Sequence, residues 1–318
     1  MALVIFLFLI GFIFLLKGAD VLTDRAASVA KRFGVSNFII GIVIIGIGTS
    51  IPELIVAVFS NLQGAANVGI GTIVGSNTLN ILLILGISAL ISPLILTRRQ
   101  VWRHMPLNIL AVIISAFFVY FSFTGFFGIS RLEGLALLAL SVFWMFYLYR
   151  LSKDGAEDDP KILYKNHSHF SNFIFIILSL AGIIIGGEWV TQGAVALAKF
   201  IGLKDSIIGL TIVGLGTSLP ELAASAVAAF KKNYGIAVGN IIGSNIFDFL
   251  MIFGIAAAMK PIQFTEPLFL DMAVTILSAV LLLGAMFIGK KYVLKRWQGA
   301  IFILLYCVYV AYLFTLRP

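Results

Sequence analysis

Glu53 and Glu221 are where the chemistry has to begin, because each is an acid set inside a long apolar run. An ionised carboxylate is expensive in hydrocarbon, so an intramembrane acid normally faces a cavity or a partner. The first run reads Gly46-Ile47-Gly48-Thr49-Ser50-Ile51-Pro52-Glu53-Leu54 and the second Gly214-Leu215-Gly216-Thr217-Ser218-Leu219-Pro220-Glu221-Leu222, with no lysine or arginine in either. A cation from solution is the natural counter-charge. Pro52 and Pro220 are helix-breaking: they have no N–H, so the carbonyls of Gly48 and Gly216 lose their helical partners. Freed carbonyls of the Gly-Thr-Ser segment can then serve as oxygen ligands, which a membrane protein tolerates where broken helix lines a cavity. Thr49 and Ser50 precede Glu53 by four and three residues, as Thr217 and Ser218 precede Glu221. That spacing lets hydroxyls and carboxylate share one helix face. Two carboxylates plus carbonyl oxygens describe a hard-cation site, and flexible oxygen coordination favours calcium.

A second pair of segments adds polar groups. Gly71-Thr72-Ile73-Val74-Gly75-Ser76-Asn77 matches Gly239-Asn240-Ile241-Ile242-Gly243-Ser244-Asn245, and each is followed by a further polar residue, Asn80 or Asp248. Ser76 with Asn80, and Ser244 with Asp248, are four apart and share a face. The glycines, also four apart, fit close helix packing better than ion binding. For the Ser, Asn and Asp side chains, hydrogen bonding between helices is the competing reading.

All these matches keep one register: Glu53 and Glu221 are 168 residues apart, and so are Gly86 and Gly254, and Pro93 and Pro261. Chance does not produce that. Packing alone would explain the duplicated glycines, but not paired acids within apolar runs.

The elements that must hold these residues follow from composition. Of 318 residues, 61% are hydrophobic and 11% charged, against about 25% charged in soluble proteins. Hydropathy predicts an all-α integral membrane protein of ten transmembrane helices, roughly 1–22, 37–60, 67–92, 105–123, 130–149, 170–193, 205–230, 234–258, 267–289 and 297–316. The run from Ala2 to Leu16 has no basic leader and no small-residue cleavage pattern, so it reads as the first span. With the N-terminus outside, 16 basic residues fall in cytoplasmic connections and 5 in external segments. The excess of positive charge on the inner side supports both the orientation and the span count. Both termini are expected outside, with the central loop in the cytoplasm and the chain in the plasma membrane. Residues 1–150 form a first five-helix repeat, 151–169 a cytoplasmic linker, and 170–318 a second repeat. An odd number of spans per repeat inverts the second relative to the first, and sites in such proteins form at the repeat interface near mid-bilayer.

Several functions are set aside by what is missing or scattered. The net charge of +8 is spread over short connections, so nucleic acid is not an expected partner. The single cysteine, Cys307, allows neither an internal disulfide nor a cysteine metal cluster. His104, His167 and His169 are assigned to cytoplasmic connections and lack ligand spacing, and there is no phosphate-binding glycine loop that would signal ATP drive. Trp102, Trp144, Trp189 and Trp297 suit interfacial anchoring. No resident cofactor and no obligatory protein partner are expected; the partners are the transported cations and the lipid bilayer.

With these motifs on the page, the chain resembles the calcium/cation antiporter superfamily, specifically the sodium/calcium exchanger type. The resemblance is most specific at Gly48-Thr49-Ser50-Ile51-Pro52-Glu53 with Gly75-Ser76-Asn77, and at their second copies. It implies a four-helix ion-binding core from spans 2, 3, 7 and 8, across which spans 1 and 6 slide. It implies a central calcium held by Glu53 and Glu221, with backbone oxygens of Thr49 and Thr217. Ser50, Ser76, Ser218 and Ser244 would form flanking sodium sites, with Asn80 and Asp248 beside them. Thr72, where many members have Asn, resembles the potassium-dependent branch, and an acid at Asp248 would suit potassium. The chain size and short central loop look like the simpler, potassium-independent exchangers.

Sodium-driven calcium antiport is thus the expected activity. A potassium-dependent sodium/calcium exchanger, a proton-coupled calcium exchanger, a cation channel and a membrane-embedded hydrolase are the competing functions.

Overall fold

Long apolar runs fold here as helices, because a backbone polar group without water finds its partner most readily within its own helix. The computed structural model describes residues 2–121, 128–152, 168–200, 214–263 and 268–316. The helices are α1 (Ala2–Phe33), α2 (Asn37–Thr49), α3 (Ile51–Leu62), α4 (Ala66–Ile91), α5 (Arg98–Tyr120), α6 (Arg131–Ser152), α7 (His169–Phe200), α8 (Gly214–Gly216), α9 (Leu219–Phe230), α10 (Tyr234–Met259), α11 (Leu268–Ala285) and α12 (Arg296–Leu316). Among the described residues, seven helices are long and apolar enough to cross a bilayer, and the bent pair α2–α3 makes an eighth span. Helices α9 and α11 are apolar but shorter.

Spans α4 and α10 are the most buried and form the centre of the bundle. The contact of α10 with α2 is close enough to exclude side chains. A Cβ on Gly243 would stand 2.6 Å from the Ile42 Cα and 2.8 Å from its carbonyl oxygen. On the corresponding face of α4, a Cβ on Gly71 or Gly75 would meet nothing within 4 Å among the described residues. The segment related by the repeat to Phe38 and Ile42 lies outside the described residues.

Helices α1 and α7 run antiparallel as a pair. Gly11 and Gly186 let the two backbones approach, a Cβ on either standing within 3 Å of the other's carbonyl oxygen. Toward the other end, Arg25 donates to Ser171 Oγ at 2.9 Å and stacks 4.4 Å over the Phe175 ring, and Asn172 donates to Ser28 Oγ at 3.1 Å. The pair is joined to α9 by Lys231, whose ammonium contacts the carboxylates of Asp20 at 2.7 Å and Asp24 at 2.8 Å.

Two short ribbons relate the halves reciprocally. Strand β1 (Leu94–Ile95), following α4, pairs antiparallel with β4 (Val293–Leu294), preceding α12. Strand β3 (Ile262–Gln263), following α10, pairs with β2 (Gly128–Ile129), preceding α6.

The sequence boundaries need several corrections. Helix α1 continues to Phe33 and α7 to Phe200, so both helices outrun the hydropathy window. Helix α5 begins at Arg98, because Thr97 and Gln100 close a reciprocal capping box there. His104 is therefore no connection residue; it is buried in α5 with its ring 4.8 Å from that of Phe38. Trp144 is likewise buried rather than interfacial, whereas Trp102 and Trp297 are exposed. The linker residues 153–167 and His167 lie outside the described residues, as do the first residues assigned to the seventh span.

Candidate ion-binding site

Both glutamates sit just beyond a break. Helices α2 and α3 meet at Ser50 with a bend of 44°, and the Ser50 backbone leaves the helical basin at φ −80°, ψ 5°. Ser218 does the same before α9, at φ −93°, ψ 4°. In each case the proline follows within the first two residues of the next helix, where its missing N–H costs no bond. Glu53 and Glu221 then fall in a first helical turn, where the helix dipole favours negative charge.

The facing helices carry a second irregularity. Asn80–Ile84 in α4 and Asp248–Ile252 in α10 are π-helical, and so is Gly41–Gly46 in α2. A π turn interrupts the regular stacking of the helix, a feature frequent at functional sites. Here Asn80 and Asp248 are the first residues of their π segments.

Nearly all the predicted residues are buried, and Thr49, Ser50, Glu53, Thr217, Glu221 and Asp248 lie beside one another. Thr49, Ser50, Glu53, Ser76, Asn80, Ser218, Glu221, Ser244 and Asp248 are all buried, and Thr217 is half-buried. Glu53 lies within electrostatic reach of Glu221 and Asp248, and Asp248 of Glu221. No basic side chain among the described residues acts on the three. Among the described residues, no three His, Cys, Asp or Glu side chains are gathered tightly enough to hold a metal by themselves. A cation between these acids would therefore need neutral oxygens as well, and those are present.

The pairing of hydroxyls with carboxylates differs from the helix-face expectation. Thr217 stands beside Glu53, whereas Thr49 and Ser50 stand beside Glu221, and Ser50 also beside Asp248. Each carboxylate thus meets hydroxyls of the other half. The break at Ser50 ends the 3.6-residue periodicity that would have aligned Ser50 with Glu53. These approaches stop short of complete hydrogen bonds. Glu53 Oε2, both carboxylate oxygens of Glu221, Asp248 Oδ1, and the hydroxyls of Ser50, Thr217 and Ser218 are buried without a hydrogen-bond partner. Buried polar atoms are rarely left so, and a cluster of them calls for an ion or water.

The remaining polar groups are anchored. Ser76 Oγ donates to the Ile73 carbonyl at 3.0 Å and Ser244 Oγ to the Gly46 carbonyl at 3.0 Å. A hydroxyl that has spent its proton presents lone pairs to a cation. Asn77 Nδ2 donates to Asp248 Oδ2 at 2.8 Å, and Asn80 Nδ2 to Asn245 Oδ1 at 3.0 Å. Asn240, noted in the sequence only as a repeat mismatch, and Ser225, not noted at all, are also central. Asn240 Nδ2 donates to Ser225 Oγ at 2.8 Å and to the Glu221 carbonyl at 3.2 Å. The signal that would have found them is the mismatch itself, Thr72 and Ala57 at the related positions of the first half.

A cavity of about 850 Å³ lies between α3 and the C-terminal half of α7 and borders this centre at Thr217. It touches Pro52, Thr217 and Pro220 at the breaks and extends along α7 past Glu188 and Gln192 to Lys199. The Lys231 ion pairs lie toward the opposite end of α1 and α7.

Comparison with known proteins agrees with this arrangement. The sodium/calcium exchanger protein family model matches residues 3–150 and 171–315. Sodium/calcium exchanger MaX1 of Methanosarcina acetivorans is 35% identical, over 96% of this chain and 97% of its own. Inner membrane protein YrbG of Escherichia coli is 30% identical, over 80% and 79%. The solved structure of the sodium-calcium exchanger NCX_Mj, soaked without sodium and calcium, superposes with a TM-score of 0.83 at 32% identity, covering 98% of this chain and 99% of that one. A family match across both halves, joined to a duplicated acid site, leaves one conclusion: the chain belongs to the sodium/calcium exchanger family.

Proposed function

We propose that this protein exchanges sodium for calcium across a membrane by alternating access, with ions bound between its two halves. One observation carries the reading: two broken helices bring Glu53 and Glu221 to a buried centre where three of their four carboxylate oxygens lack partners and, among the described residues, no basic group offsets them. Glu53 and Glu221 hold the calcium, with backbone oxygens of Thr49 and Thr217. Ser50, Ser76, Asn80, Ser218, Ser244 and Asp248 line the sodium positions. The family is one of transporters, so a hydrolase has no support, and neither MaX1 nor NCX_Mj is named for potassium.

The membrane arrangement we propose has ten spans: the eight long ones, plus α9 with the segment before it and α11. Residues 1–150 and 170–318 form the two five-span halves of opposite topology, with 151–169 as a cytoplasmic linker. The reciprocal ribbons support a two-fold relation between the halves. Both termini face outward and the protein resides in the plasma membrane, the orientation favoured by the distribution of basic residues.

Calcium uptake into proteoliposomes, with sodium, potassium and proton gradients imposed separately, tests this. A sodium gradient is expected to drive calcium movement without potassium. Flux that follows only the proton gradient, or single-channel currents far above a transport cycle, would overturn the proposal.

A further inference from the structure

The two halves of the site are not braced alike. On one side, Thr49 Oγ1 donates to the Ile45 carbonyl at 3.0 Å, with Asn240 Oδ1 at 3.3 Å. The Asn240 amide in turn holds Ser225 Oγ and the Glu221 carbonyl. One buried side chain on α10 thereby ties the break in the first half to the first turn of α9. On the other side, the residues related by the repeat are Thr72 and Ala57. Ala57 has no polar atom to bind, and Thr72 turns its hydroxyl back to the Val68 carbonyl at 2.9 Å. Thr217, the counterpart of Thr49, is left with a hydroxyl that has no partner, and it lines the cavity. Both members of the brace are absent together, and the threonine they would have held is the one that is free.

We infer that Asn240 is a positioning residue that holds the Thr49 side of the site fixed, and that the Thr217 side is left free to adjust when a cation enters from the cavity. This rests on the exchange reading above. The physical reason is the difference in what must be given up. Moving Thr49 relative to Glu221 breaks hydrogen bonds in a buried setting, where leaving polar groups unpaired is costly. Moving Thr217 breaks none that its hydroxyl makes. Thr217 stands beside Glu53, so adjustment there carries the first carboxylate's neighbour toward the ion. A fixed half sets the spacing of the site, and a yielding half admits and releases the ion.

The test exchanges the braces. Asn240→Thr with Ser225→Ala gives the second half the residues of the first. Loss of one or two net hydrogen bonds should raise the KM for calcium roughly 3- to 10-fold, with kcat changed less than twofold. Thr72→Asn with Ala57→Ser offers the first half a brace, and should lower kcat at least twofold with KM within twofold of wild type. Reconstituted protein is checked for monodispersity first. If the first pair does not fold, Ser225→Ala alone, which removes a single acceptor, should move KM in the same direction by a smaller factor. A double-mutant cycle of Thr49→Val and Asn240→Thr should be non-additive in KM, since both sever one contact. Unchanged KM in folded Asn240→Thr with Ser225→Ala, additive cycle energies, or full turnover in Thr72→Asn with Ala57→Ser would each overturn the inference. Absence of sodium-driven calcium flux in the wild type would instead overturn the function it rests on.

Discussion

Asn77 donates a hydrogen bond to Asp248 at 2.8 Å, joining α4 to α10 through the only acid that breaks the match between the two copies of that segment. In the reciprocal pair, Asn80 is the donor and Asn245 the acceptor. Replacing the acid therefore affects both the charge of the site and a contact between the halves.

Asp248→Asn keeps the shape and, with its amide oxygen turned to Asn77, the contact. It removes one negative charge from a buried site with no basic neighbour among the described residues. A fall in cation affinity of about tenfold is expected, the scale of one charge-assisted bond. Sodium-driven calcium uptake should remain indifferent to potassium in wild type and variant alike. A potassium requirement in the wild type that disappears in Asp248→Asn would reassign this residue to potassium binding.

Glu53→Gln and Glu221→Gln should each nearly abolish exchange in a protein that still folds. Removing a desolvated charged partner costs about 2–5 kcal/mol, on the order of a hundredfold or more in calcium affinity. Isothermal titration with calcium and uptake in vesicles read the two effects. Near-normal exchange in either variant would remove its carboxylate from the calcium site. Thr49→Ala should be milder than either, because its backbone oxygen is the proposed ligand.

Packing of α2 on α10 leaves no room for a side chain at Gly243. Gly243→Ala drives a methyl group into the Ile42 backbone, where neither partner is a flexible side chain. A loss of about 1–3 kcal/mol is expected for such overpacking, seen as a lowered melting temperature in detergent. Melting of Gly243→Ala at the wild-type temperature would contradict the close approach.

Lys231 holds two carboxylates of α1 that are nearly half exposed. Exposed pairs contribute about 0–1 kcal/mol, so Lys231→Met should lower stability only slightly. High salt should erase the difference between variant and wild type. A large, salt-independent loss would mean that the aliphatic stem, rather than the charge, holds α1 to α9.

How much of this was legible in the linear chain depends on the distance over which each feature is decided. The duplicated acids, the prolines before them and the apolar runs around them are local. They were readable at Glu53 and Glu221 because a charge in hydrocarbon must be compensated wherever the run folds. The breaks at Ser50 and Ser218 follow from the same short motifs. Tertiary structure decided who faces whom. A helix-face argument joins Ser50 to Glu53, but the chain bends by 44° at Ser50, and the hydroxyl turns to acids about 170 and 200 residues away. His104 and Trp144 looked peripheral beside charged connections, yet packing buried them. Asn240 looked like a mismatch within a repeat, and only the approach of α2, α9 and α10 made it a brace. Sequence fixes the chemistry that a site must contain because desolvation acts on each residue where it stands; the partners of each group are set by helix packing, which no local period encodes.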